Sequence, residues 1–155
     1  MTIFTHFAEL GLVQPLIRSL SELGYESPTP VQSQSIPILL EGKNLLAQAQ
    51  TGTGKTAAFA LPILSLIDAN IRSPQALVIV PTRELAIQVA EAFQRYARHL
   101  EKLQAIAIYG GQSYDIQIRS LKRGAQIIVG TPGRLMDLLD RNKLDFGHLS
   151  HVVLD

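Results

Sequence analysis

The run Ala49-Gln50-Thr51-Gly52-Thr53-Gly54-Lys55-Thr56 is the densest concentration of usable chemistry in the sequence. Two glycines, a lysine and a hydroxyl at this spacing suit a loop that wraps phosphate oxygens, given a strand before it and a helix after it. Gly52 and Gly54 permit the turns that bring backbone N–H groups around an anion. A helix opening at Thr56 adds about half a positive charge at its amino end. Lys55 is then the side chain for β- and γ-phosphates, and the Thr56 hydroxyl the ligand for magnesium (Mg2+). The first position is Ala49 where the generic pattern has Gly. The plainer alternative is a glycine-rich turn with a surface lysine. Asp155 closes the apolar run Val152-Val153-Leu154, where a phosphate-loop enzyme keeps its second magnesium-organising carboxylate. Alone it would be an ordinary solvated Asp; paired with the loop it becomes a metal candidate.

Such groups need elements to position them. Short β-branched runs predict strands at Asn44–Gln50, Ala76–Pro81, Gln104–Tyr109, Gln126–Gly130 and His151–Asp155. Several are apolar at consecutive positions, the pattern of strands buried on both faces of a parallel sheet. Amphipathic or apolar helical stretches lie between them: Thr56–Ile67, Glu84–Leu100, Asp115–Lys122 and Arg134–Leu139. Strand then helix, repeated, predicts βαβ units in a three-layer α/β domain with a mainly parallel sheet. Two further helices precede the first strand. Val13–Leu23 is closed by Gly24, and Pro30–Leu40 has Thr29 as N-cap and Gly42 after its end. The organisation read from this is a helical extension over residues 1–42 and a sheet domain over 43–155.

Composition narrows the classes. The 155 residues suit one domain, and 46% hydrophobic with 17% charged residues excludes a disordered chain. With no cysteine there is neither a disulfide framework nor a thiolate metal site. His6, His99, His148 and His151 show no metal-binding spacing and read as surface or core residues. The amino-terminal MTIFTHFAEL is not a secretory signal, and no apolar run approaches the roughly 20 residues that span a bilayer. A soluble cytoplasmic protein is the expectation. The net charge of +1 conceals a basic middle: nine Lys/Arg against four Asp/Glu over residues 72–135, flanked by segments of net −2 each. A basic face fits an anionic partner, and equally a solvated surface.

These residues resemble the DEAD-box RNA helicases over nearly the whole chain, with similarity to the bacterial cold-shock (DeaD-type) subgroup. Gly24-Tyr25-Glu26-Ser27-Pro28-Thr29-Pro30-Val31-Gln32 looks like the family's Q motif, with Phe7 as its upstream aromatic. Ala49–Thr56 matches motif I, Pro81-Thr82-Arg83-Glu84-Leu85-Ala86 motif Ia, and Gly110-Gly111 the GG element. Thr131-Pro132-Gly133-Arg134 matches motif Ib, and Val153-Leu154-Asp155 the approach to the motif that names the family. The resemblance implies a RecA-like phosphate-loop domain that binds ATP and Mg2+, the front of an ATP-dependent RNA helicase. A second RecA-like domain, missing from this chain, would complete it. Gln50, Thr51, Gly52, Thr53, Gly54, Lys55 and Thr56 would surround the nucleotide, with Lys55, Thr56 and Asp155 acting in catalysis.

Each motif has its own physical reading. The Gln32 amide carries donor and acceptor, so it suits the N6/N7 edge of adenine and mismatches guanine. Its alternative is a helix-surface amide. Either Tyr25 or Phe7 would stack on the base or brace the loop, and Phe7 is as readily core. Pro81, Thr82 and Arg83, then Gly110 and Gly111, then Thr131, Pro132, Gly133 and Arg134 each follow a predicted strand. They would lie along one sheet edge and grip an RNA backbone without reading its sequence. Tyr109 reads as core, and Gln112 has no role. Rival readings are a small-molecule P-loop kinase and a non-catalytic RNA-binding scaffold. The resemblance further implies an attacking-water Glu after Asp155 and arginine fingers worth roughly 10³–10⁵ in rate. The 155-residue chain lacks both and is expected to bind nucleotide weakly and hydrolyse almost none, and with an unfilled sheet position to be marginal, self-associating or proteolysed from something longer.

Overall fold

The computed structural model describes residues 4–155; the first three residues of the amino-terminal segment read above for a targeting signal lie outside them. The chain divides into two compact units, one running to Ile67 and including Arg95–Glu101, the other holding Asp68–Gln94 and Lys102–Asp155.

The first unit is helical. A 3-10 turn at Phe7–Glu9 leads to α1 (Gln14–Glu22), α2 (Pro30–Leu40) and α3 (Lys55–Leu66), with a second 3-10 turn at Ala97–His99. α2 starts at Pro30 behind Thr29, as the N-cap and first-turn proline predict. α2 packs along α3, and Leu16, Leu20, Ile36, Ala60 and Leu61 are fully buried in this unit. The small residues of α3's first turns, Ala57, Ala58 and Ala60, are buried too. Glu22 at the end of α1 meets His99 at 2.7 Å and Arg98 at 3.4 Å. The His99 hydrogen bond, then the nearby Arg98, hold the Glu22 carboxyl below its usual range.

One predicted strand is not formed. Residues 43–50 have no sheet pairing, and Leu46 is 99% exposed. The strand expected at Asn44–Gln50 is absent, because local composition cannot supply a pairing neighbour. A strand exists only through the backbone hydrogen bonds of the strand beside it.

The second unit is a parallel sheet with helices. β1 (Ala76–Ile79), α4 (Arg83–Tyr96), β2 (Ala105–Ile108), α5 (Tyr114–Lys122), β3 (Ile127–Gly130), α6 (Pro132–Asp140) and β4 (His151–Leu154) follow in order. The last two residues of α4 belong to the first unit. The spatial order is β2-β3-β1-β4, every pair parallel, with Ala76 opposite both Ile127 and His151. Strands alternate their side chains between faces. Leu77, Ile108 and Ile128 build one core with Leu135 and Leu138 of α6. β1 and β3 are central and almost wholly buried, which is why their sequences are apolar without alternation. Among the described residues β4 pairs only with β1, and Val152 and Leu154 are exposed, Leu154 at 79%. Gln75 and Gln126, both buried, fasten the amino ends of the strands. Gln126 donates to Lys102 O at 3.0 Å and accepts from Gln104 N at 2.9 Å. Gln75 donates to Asp68 O at 2.8 Å and Ile71 O at 3.0 Å. Among the described residues no helix is long and apolar enough to cross a membrane.

Candidate phosphate loop and nucleic-acid edge

The candidate phosphate loop is built in the first unit by backbone. Gln50 to Gly54 turn tightly, Thr53 Oγ1 donating to Gln50 O at 2.6 Å. Gly52 and Gly54 have φ of 81° and 87°, the left-handed region that an L side chain resists. Gly54 is the N-cap of α3, and Lys55 and Thr56 occupy its first turn, partly exposed. Among the described residues neither of these two side chains forms a hydrogen bond or ion pair. The amino-end N–H groups of a twelve-residue helix therefore face the loop together with an uncommitted ammonium and hydroxyl.

Gln32 is buried, 1% exposed, and not the surface amide of the plainer reading. Its Oε1 accepts from Thr29 N at 3.0 Å, capping α2, and its Nε2 donates to Gly54 O at 3.1 Å. The Q-motif glutamine thus ties the start of α2 to the phosphate loop. A Cβ on Gly54 would stand 2.2 Å from Gln32 Nε2, so only glycine fits. Thr29 Oγ1 lies 3.4 Å from the same point and is buried without a hydrogen-bond partner. Phe7 is buried and meets Tyr25 edge-on at 6.2 Å. Tyr25 is the exposed member of the pair; its hydroxyl is 3.1 Å from that of Tyr96, and the rings stand 6.0 Å apart. Burial, then the Tyr25 hydroxyl, push Tyr96 well above the usual tyrosine range. A cleft of about 410 Å³ in this unit is lined by residues including Pro30, Ile38, Leu46, Ala49 and Thr53; neither Lys55 nor Thr56 lines it.

In the second unit the predicted loops all leave the carboxyl ends of parallel strands. Pro81, Thr82 and Arg83 follow β1 and are exposed; Thr82 Oγ1 accepts from Leu85 N at 3.2 Å, capping α4. Gly110 and Gly111 follow β2, both exposed. Thr131 is the N-cap of α6 after β3, with Pro132 and Gly133 exposed and Thr131 N donating to Ile108 O at 3.0 Å. Asp155, exposed at the tip of β4, is held by its own N–H on Ile79 O at 3.0 Å.

The two arginines of this edge are braced by residues that sequence reasoning left out. Arg83 Cζ lies 5.3 Å from the centroid of the Tyr109 ring, so Tyr109 supports an edge residue and is not purely core. Arg134 Cζ lies 3.9 Å from the Tyr114 ring, and its Nη1 donates to Gln112 O and Gln117 Oε1, both at 2.9 Å. Tyr114 also receives Arg141 at 4.3 Å and donates its hydroxyl to Asp137. That hydrogen bond, then Arg141, hold the Asp137 carboxyl below its usual range. A buried Gln inside an amphipathic helix was the available signal for Gln117. Tyr114 and Gln112 gave none, because their partners lie on another helix or loop.

The DEAD/DEAH box helicase family matches residues 29–155. The ATP-dependent RNA helicase DeaD of Klebsiella pneumoniae is 55% identical over 97% of this chain and 24% of its own length. That of Mycobacterium tuberculosis is 54% identical over 96% of this chain and 26% of its own length. The chain therefore spans about a quarter of the curated relatives it matches. Among solved structures, a DEAD box protein from the hyperthermophile Methanococcus jannaschii superposes with a TM-score of 0.92 at 39% identity, covering 98% of this chain and 41% of that one. Saccharomyces cerevisiae Dbp5 bound to RNA and ADP BeF3 superposes with a TM-score of 0.87 at 35% identity, covering 97% of this chain and 38% of that one. With its phosphate loop, its parallel sheet and a family match over most of its length, this chain belongs to the DEAD/DEAH box helicases.

Proposed function

We propose that this chain is the ATP-binding part, with one portion of the RNA-binding face, of an ATP-dependent RNA helicase that remodels short RNA duplexes in the cytoplasm. The observation that carries the reading is the pairing of two features. One is a glycine-built loop at the start of α3; the other is a row of three loops on one edge of a parallel sheet, holding both Arg83 and Arg134. A kinase of small molecules has a use for the first and none for the second.

The loop fits a nucleotide and its ion. Gly54 can approach Gln32 only without a side chain, and the donor set of backbone N–H groups, ammonium and hydroxyl is the one phosphate and a hard cation take. Lys55 would neutralise phosphate charge, Thr56 would offer its oxygen to the magnesium, and Asp155 would hold the ion through its water. The bound ion supplies charge screening between phosphates. Gln32 has one N–H and one lone pair beyond those spent on Gly54 and Thr29, which suits the adenine edge. Of the two aromatics, exposure favours Tyr25 as the ring facing the base and Phe7 as its buried brace. Phosphates of an RNA strand would meet Thr82 and Arg83, the open glycines 110 and 111, and Thr131 with Arg134.

A second RecA-like domain outside these 155 residues would complete the motor, in keeping with relatives of which this chain spans about a quarter. The 155-residue chain alone is expected to turn over negligible ATP. A helical extension over 1–42 and a sheet domain over 43–155 is the division by motif, while the compact units part at Ile67. The test is competition binding of ATP and GTP to the full-length protein with and without Gln32→Ala. Selectivity for ATP that collapses in the variant supports the adenine contact; equal binding of both nucleotides before and after the change refutes it.

A further inference from the structure

Gln117 sits in the middle of α5, 1% exposed, and no motif claims it. A buried amide away from any partner is costly, so its hydrogen bonds show what the position is for. Nε2 donates to Tyr109 O and to Gln112 Oε1, both at 2.8 Å. Oε1 accepts from Arg134 Nη1 at 2.9 Å, and the same Nη1 reaches Gln112 O. One side chain therefore pins both ends of the Tyr109–Gln112 loop and fixes the guanidinium that follows β3. Tyr114, three residues earlier on α5, stacks beneath that guanidinium. An α-helix puts residues three apart on neighbouring positions of one face, so α5 presents the stacking ring and the amide to Arg134 together.

We propose that Gln117 is a positioning residue of the RNA grip, presetting the glycine loop and Arg134 as one unit before RNA arrives. The inference rests on the RNA-edge reading above and adds a cause for its geometry. Ordering a loop and a long arginine side chain costs conformational entropy on binding. A network that has already ordered them removes that cost, and its loss weakens RNA binding without touching the chemistry of hydrolysis.

The experiment measures ATPase activity of the full-length protein against RNA concentration for Arg83→Ala, Gln117→Leu, Arg134→Ala and the Gln117/Arg134 double variant. Gln117→Leu keeps the volume and removes all three hydrogen bonds. The expected result is a rise of about tenfold in the RNA concentration for half-maximal stimulation, the scale of one charge-assisted hydrogen bond. The kcat at saturating RNA should hold, and Gln117→Leu should add less in the Arg134→Ala background than it does alone, because only its hold on the loop is then left to lose. A rise with Arg83→Ala but none with Gln117→Leu, or strict additivity in the double variant, overturns the positioning role and leaves the RNA edge intact. No change with either Arg83→Ala or Gln117→Leu overturns the edge itself and this proposal with it. If Gln117→Leu does not fold, Gln112→Ala, which removes one of the two acceptors of Nε2 and leaves Tyr109 O in place, decides by the same criteria.

Discussion

At the amino end of α3 the anion-facing groups are set by backbone: two left-handed glycines, a helix terminus and a glutamine that holds the loop by a carbonyl. The side chains proposed to act there, Lys55 and Thr56, are left uncommitted. At the carboxyl edge of the sheet the arrangement is reversed. There Arg83 rests on Tyr109, and Arg134 is stacked on one ring and hydrogen-bonded to two glutamines. A side chain at a left-handed glycine is strained whatever the space around it, whereas a side-chain network weakens one bond at a time. Substitutions in the first region should therefore act as near-complete losses, and those in the second as graded ones.

Lys55→Ala gives the largest expected effect. In the full-length protein it should lower kcat by about 10²–10³, the usual loss when one fixed donor is removed from developing charge. Retention of most of the kcat would break the comparison on its stronger side. Gly54→Ala comes next. It forces a side chain onto φ 87° and to within 2.2 Å of Gln32 Nε2, at a cost of about 2–4 kcal/mol in urea unfolding. Nucleotide binding should vanish with it. Gln32→Ala leaves Thr29 N without an acceptor and takes from Gly54 O one of its two donors, the other being Ala58 N, and should cost about 1–3 kcal/mol. Wild-type stability in that variant would show the amide to be idle.

The edge gives smaller steps. Arg134→Ala should weaken RNA binding alike for all sequences and reduce the slope of log affinity against log salt by about one. A loss confined to one sequence would contradict backbone contact. The smallest effect concerns pH. Burial holds His151 below the ordinary 6.5, so the unfolded chain takes up its proton first. Stability is then fully present above about pH 6.5 and declines as pH falls below it. His151→Gln should flatten that decline in melting scans between pH 7.5 and 5.5. An unchanged slope would mean that the ring is not resisting protonation.

How far the molecule could be read in advance follows the same division. The apolar runs of β1 and β3, the caps of α2 and the glycines of the phosphate loop are local facts, and sequence carries local facts well. Asn44–Gln50 has the residues of a strand and no strand, because pairing is a property of a neighbour. Phe7 and Tyr25 were interchangeable as aromatics until burial separated them. Gln117 and Tyr114 escaped notice because their meaning lies in Arg134, seventeen or more residues away on another helix. Gln32 was singled out for an adenine, yet its capping bond to Thr29 and its hold on Gly54 are visible only in three dimensions.

Amide hydrogen exchange on the full-length protein, with a non-hydrolysable ATP analogue and single-stranded RNA added separately and together, tests the assignment of the two regions most directly. The nucleotide should slow exchange at Gly52–Thr56, and RNA should slow it at the loops around Arg83, Gly110–Gln112 and Thr131–Arg134. Protection by RNA that falls elsewhere on this chain, or a phosphate loop that exchanges unchanged with the analogue bound, would contradict the account.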